Sequence, residues 1–242
     1  MKHLKLFKTQ VEFDTATLEL PNISFIEESN KVNFVSKTSD PFNGHEYVDL
    51  GLPSGTLWAK CNIGAEKESD YGLYFAWGET VGYKDASSGK SFSWSDYKYC
   101  NGSYDTLTKY NTSSSYGTVD NLTALEPSDN AASVILGGSW RMPSREEYQE
   151  LFNNTTNTWT TVNEVNGRLF TGNNGNTLFL PASGYCRDGN VYGVGSYGIY
   201  WSSSLDPSGS PTLARGMGIY SNTCSSSGNS RFFGCSVRGV IG

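Results

Sequence analysis

From residue 168 to the C-terminus the sequence is a succession of short aromatic runs cut apart by turn formers: "RLFTGNNGNTLFLPASGY", "GIYWSSS", "TLARGMGIYS" and "RFFGCSVRGV". Runs of this length, rich in aromatic and branched residues and bounded by Gly, Ser, Asn or Pro, read as β-strands. Asn174-Gly175 marks a hairpin turn, and "NTLFLPA" is its buried second arm. With 27 Gly and abundant Ser and Asn, the chain is built for loops and short strands rather than long helices.

Helix signals are confined to the middle. Ser128 or Asp129 can cap "NAASVIL", which stops at Gly137-Gly138. In "SREEYQELFNN" Ser144 and Glu147 form a capping box, and acidic residues crowd the first turn, where the helix dipole favours them. Tyr148, Leu151 and Phe152 share one face, so the spacing predicts a helix over 145–153. Upstream, 46–50 and 56–60 read as strands around a Pro-Ser-Gly turn, and 70–79 as a further aromatic-rich strand. Residues 82–125 lack periodicity and read as a structured surface insertion. Two helices early and strands late predict an α+β domain.

The first 38 residues differ from the rest. Val11 and Phe13, Leu18 and Leu20, and Val32 and Phe34 alternate in short stretches broken by Pro21 and Asn30, as in hairpin strands. "SKTSDPFNG" reads as a linker, which puts a boundary near 40 between an N-terminal β segment (1–40) and a main domain (41–242). So short a β segment buries little by itself. It is expected to make a homo-oligomer or an anchor, or to dock on the main domain.

Composition narrows the function classes. A chain that is 37% hydrophobic and 14% aromatic is globular. A net charge of -6 argues against nucleic acid as the main partner. No apolar run reaches membrane-spanning length, and "MKHLKLFKTQVEF" has no apolar core or cleavage site of a secretory signal. The 5 cysteines are odd in number, widely spaced and without a CxxC pair, so neither a disulfide framework nor a zinc site is expected. They read as buried free thiols. The only histidines are His3 and His45, and no GxSxG elbow occurs, so a Ser/His/Asp triad would have to rest on a linker histidine. "RDGN" at 187–190 is too short for a calcium loop and reads as a tight turn. No catalytic residues, metal or cofactor are expected.

Combined in one chain, "EYVDLGLPSGTLWAKCNIGA", "YGLYFAWGET", "SWRMPSREEYQEL", "FLPASGY" and "YGIYWSSS…R…SVRGV" resemble the FISUMP-type major paralogous domains of surface and phage-associated proteins in gut anaerobes. The resemblance covers about residues 45 to 242 and implies a C-type-lectin-like fold. That fold is shared with formylglycine-generating enzymes and with the variable proteins of diversity-generating retroelements. The calcium-and-sugar motifs of animal lectins are missing, "EPS" at 126–128 being the nearest.

In the retroelement proteins, codons derived from Asn are randomised in the C-terminal part of the fold. The same landmarks here enclose Ile199, Asp206, Gly209, Thr212, Leu213, Arg215, Gly216, Gly218, Tyr220, Thr223, Ser225, Ser227, Gly228, Asn229, Phe232, Phe233 and Cys235, all residue types reachable from an Asn codon altered at its first two bases. The resemblance therefore implies a ligand-binding, non-enzymatic protein on a virion or cell surface, meeting a protein or glycan of a target cell through this patch. Tyr220, Phe232 and Phe233 would be its aromatic anchors. Trp201 and Val237 are expected in the core, and Arg238 is expected to pair internally. Two alternatives remain open. One is a structural fimbrial or adhesin subunit with fixed contacts, and the other a copper enzyme of the formylglycine-generating type built on Cys224 and Cys235.

Overall fold

The computed structural model describes residues 40–242 throughout, together with the backbone of Ile23–Glu28 and Lys31–Ser36. The chain divides into two units, Met1–Asp40 and Pro41–Gly242. In the first, β1 (Ile23–Glu28) and β2 (Lys31–Ser36) form an antiparallel pair with Phe25 opposite Phe34. The strands expected around Val11 and Leu18 lie outside the described residues.

The second unit opens with β3 (Tyr47–Asp49), β4 (Leu57–Ala59) and β5 (Tyr74–Phe75). Then α1 (Ala131–Leu136) and α2 (Arg145–Asn153) follow. Asn130, not Ser128 or Asp129, caps α1, because its side-chain oxygen accepts from Ser133 N. Gly137 and Gly138 end α1 in left-handed backbone at φ 67° and 56°. The capping box of α2 forms as expected: Ser144 Oγ accepts from Glu147 N at 3.2 Å, and Glu147 Oε2 accepts from Ser144 N at 2.8 Å.

The remainder is strand: β6 (Thr156–Val162), β7 (Val165–Thr171), β8 (Thr177–Pro181), β9 (Tyr185–Arg187), β10 (Asn190–Tyr192), β11 (Tyr197–Leu205), β12 (Leu213–Tyr220), β13 (Cys224–Ser230), β14 (Cys235–Ser236) and β15 (Val240–Ile241). The principal sheet runs β13-β12-β11-β14-β5, and two three-stranded sheets run β15-β4-β3 and β6-β7-β8. Residues 187–190 make the turn between β9 and β10, with Asp188 and Gly189 both at positive φ.

The expectation of an α+β, C-type-lectin-like domain with two helices around the strands is overturned. Strand makes up 34% of the structure and helix 12%, so the fold is sheet-rich. The reason lies in the stop signals. Paired glycines hold α1 to 6 residues, and α2 ends after 9 at Asn153. The chain then enters β6, a Thr-rich strand with Trp159 and Val162 that was not among the strands expected above.

The 82–125 segment also differs from a surface insertion. It inserts Phe92, Tyr97, Tyr99, Leu107 and Tyr110 into the interior. Two buried arginines fasten the interior to its loops. Arg231 donates from Nε to Tyr97 Oη at 2.9 Å and from its terminal nitrogens to the carbonyls of Lys109, Tyr110 and Pro211. Its guanidinium lies 5.1 Å from the Trp77 ring centroid and 5.2 Å from that of Tyr97. Arg238 donates to Asn62 Oδ1 and to the carbonyls of Ala59, Lys60 and Phe179. Trp201, Val237 and Arg238 are all fully buried.

Candidate ligand-binding face

In an antiparallel hairpin, alternate residues of both strands share one face. The register Gly218↔Ser225, Gly216↔Ser227 and Ala214↔Asn229 therefore puts Gly216, Gly218 and Tyr220 on the same face as Thr223, Ser225, Ser227 and Asn229. Ile199, opposite Gly218 on β11, joins them. Leu213, Arg215 and Gly228 turn to the other face with Met217 and Cys224, toward α2. A list of scattered positions thus becomes one contiguous polar floor plus a separate rear group.

Exposure divides the same residues again. Gly209, Thr223 and Ser225 are exposed, while Thr212, Leu213, Arg215, Tyr220, Ser227, Gly228, Asn229 and Phe233 are half-buried. Ile199, Asp206, Gly216, Gly218, Phe232 and Cys235 are buried and offer no side-chain surface to a partner. Phe232, expected as an anchor, is 8% exposed and packs edge-on against Trp94 and Phe233. Cys235 pairs with Phe75 inside the sheet. The Asp206 carboxylate lies 3.0 Å from Arg215 Nε and accepts from Ser208 N at 2.7 Å, a rear-face tie across the β11–β12 connection.

Beside the floor stands a set of rings that sequence reasoning missed. Tyr220 stacks on Tyr197 at 5.7 Å, Tyr197 meets Tyr185 at 6.1 Å, and Tyr185 contacts Tyr192 and Phe233 at 5.5 and 5.0 Å. All five are half-buried. Tyr185–Tyr192 and Tyr197–Tyr220 stack with interplanar angles of 27° and 29°, while Tyr185 is tilted by 36° to Tyr197 and by 32° to Phe233, and the centroid separations of 5.0 to 6.1 Å mark offset rather than face-to-face contact. Glycines seat them. A Cβ on Gly218 would meet the Tyr220 ring at 2.6 Å, and one on Gly193 would meet Tyr197 at 2.2 Å. Arg187 lies over Tyr192 and Phe233. Burial pushes the Tyr197 hydroxyl up to about 12, so it stays a protonated hydrogen-bonding group at neutral pH. The available signal was the run of tyrosines flanking the Asp188-Gly189 turn.

The thiols are not poised for chemistry. Burial pushes Cys224 up to about 11, Cys186 up to about 12 and Cys235 well above the ordinary range. Cys224 and Cys235 belong to separate core clusters, on opposite faces of the principal sheet. Cys61, raised by burial, lines a surface pocket with His45, Glu46 and Lys60. Among the described residues, no group of three or more His, Cys, Asp or Glu side chains is placed to hold a metal ion, and no helix is long and apolar enough to cross a membrane. No family model, no curated protein and no solved structure matches this chain.

Proposed function

We propose that the open face of β13, with Tyr220 at the end of β12, is a recognition surface for a protein or glycan on a target cell, and that the protein binds this ligand without turning it over. One observation carries the reading: Tyr220, Thr223, Ser225, Ser227 and Asn229 alternate onto a single face beside the Tyr197–Tyr185–Phe233 rings. Tyrosine anchors with small adaptable polar neighbours are the chemistry of antibody paratopes, where rigid rings give area and Ser, Gly and Asn adapt. Thr223, Ser225, Ser227 and Asn229 are exposed or half-buried, and the side-chain hydrogen bonds of Thr223 and Asn229 stay within 223–229, so exchange of these four leaves the scaffold standing. That tolerance is what a codon-diversified patch on a virion or surface structure requires.

The test exchanges 223–229 between variants and measures binding to surface extracts of candidate host cells, with the thermal midpoint as a control. Altered target choice at an unchanged midpoint supports the reading. Altered assembly with unchanged target choice replaces it with a structural subunit. A neighbouring reverse transcriptase and an Asn-rich template copy of the 199–235 coding region are expected beside the gene. Their absence would remove the diversification, though not the binding.

A further inference from the structure

The same hairpin has a second open surface, distinct from the tyrosine-flanked face. β13 is the outermost strand of the principal sheet, and no described strand pairs with its far side. Tyr220 N donates to Thr223 O at 2.8 Å, and Arg231 N donates to Thr212 O at 3.1 Å, at the two ends of an uninterrupted register. Bonded pairs therefore fall at 218/225, 216/227 and 214/229. Alternation turns the backbone N–H groups of Cys224, Ser226 and Gly228 outward. The strand "CSSSGNS" itself carries no Lys, Pro or bulge, the devices that normally blunt an edge, and the outward carbonyls of Cys224 and Ser226, which accept from Thr223 Oγ1 at 3.1 Å and Arg215 Nη1 at 3.3 Å, each keep a second lone pair for a backbone donor.

Alongside this edge a notch of about 80 Å³ opens, walled by Tyr148, Gln149 and Phe152 of α2 and by Met217, Cys224, Ser225 and Ser226 of the sheet. Its walls are ring, thioether, thiol and short polar groups. We propose that β13 accepts an extended strand from a partner polypeptide, whose backbone pairs with the outward groups and one of whose aliphatic side chains fills the notch. Backbone groups at strand spacing are matched by another strand, and a neighbouring pocket selects one side chain of it. A second copy of β13 does not fit this description. Its only apolar side chain, Cys224, already lines the notch, and Ser, Gly and Asn would leave it empty.

The probes are short acetylated, amidated all-Thr peptides with Gly, Leu or Trp at the centre, titrated into the ¹⁵N-labelled full chain. The Leu peptide is expected to shift the amides of Cys224, Ser226 and Gly228 and to bind about tenfold more tightly than the Gly peptide. The Trp peptide is expected to bind no better than Gly. Methylating alternate amides of the Leu peptide should abolish binding. Ser226→Pro removes an outward N–H while keeping the ladder to β12, and should weaken the Leu peptide about tenfold. Ser226→Leu fills the notch and should erase the Leu-over-Gly preference, which keeps the test decisive if the proline variant folds poorly. Any of four results overturns the proposal: no shift at β13 with any peptide, equal binding of Leu and Gly peptides, retention after methylation, or self-association of the chain that Ser226→Pro abolishes. The last would make a second copy the occupant.

Discussion

Residues 224–230 and 231–240 are consecutive, yet they live in different solvents. The first stretch is β13, exposed or half-buried from Ser225 onward, with side chains that mostly touch water or each other. In the second, every residue but Phe233 is buried, and its two arginines are wrapped in carbonyl oxygens and aromatic rings. A single chain passes from replaceable to irreplaceable within one residue. What separates the two is the number of groups elsewhere that depend on each side chain. Exchange at Ser225 frees nothing, whereas exchange at Arg231 strands four acceptors.

That contrast can be broken at its strongest point first. Arg231→Ala should lower stability by about 4 kcal/mol in denaturant unfolding, because several buried oxygens lose their donors at once and a void opens between Trp77 and Tyr97. A loss below about 1 kcal/mol would mean the arginine is not the fastener described. Asp129→Asn comes next. Burial drives this carboxyl up, but hydrogen bonds from Lys109 Nζ and Tyr110 Oη outweigh it and hold it at about 2. Its ionised form therefore favours the fold. The stabilisation is complete above the unfolded value of about 3.9 and is lost as pH falls through it toward about 2. Asp129→Asn should cost about 2 kcal/mol at pH 7 and flatten the acid limb of the stability profile.

Smaller effects sharpen the comparison from the open side. Tyr220→Ala should cost about 1 kcal/mol of stability by uncovering Gly218 and one face of Tyr197. It should reduce target binding far more than folding. Ser225→Ala combined with Ser227→Ala should change stability by no more than about 0.5 kcal/mol, readable as an unmoved thermal midpoint, while still altering binding. A stability loss as large as that of Asp129→Asn would show that β13 is structurally committed after all.

Legibility in the sequence followed the range of the forces involved. The capping box at Ser144, the glycine stop after Leu136 and the Asn174-Gly175 hairpin are written in a few neighbouring residues and form where expected. β6 was not among the expected strands although six of its seven residues are β-branched or aromatic: its apolar residues Trp159 and Val162 stand three apart and show no alternation, and pairing with β7 supplies the rest. The candidate patch was legible as an alternation but not as a surface. Period two says that residues 216, 218 and 220 share a face, but nothing local says what covers Ile199 or Phe232. For Phe232 part of the cover is Trp94 of the 82–125 segment, more than a hundred residues away in sequence, which is also why that segment could not be recognised as core.

By itself the sequence determined local punctuation in this protein: the Asn174-Gly175 turn, the glycine stop of α1, the start of the capped helix α2, and which residues of β12 alternate together. Tertiary structure alone decided which alternating set meets water, which thiols are silenced and which arginines are locked in. Turn and cap preferences act over a few residues along the chain, whereas burial is set by groups that meet only after the chain has folded.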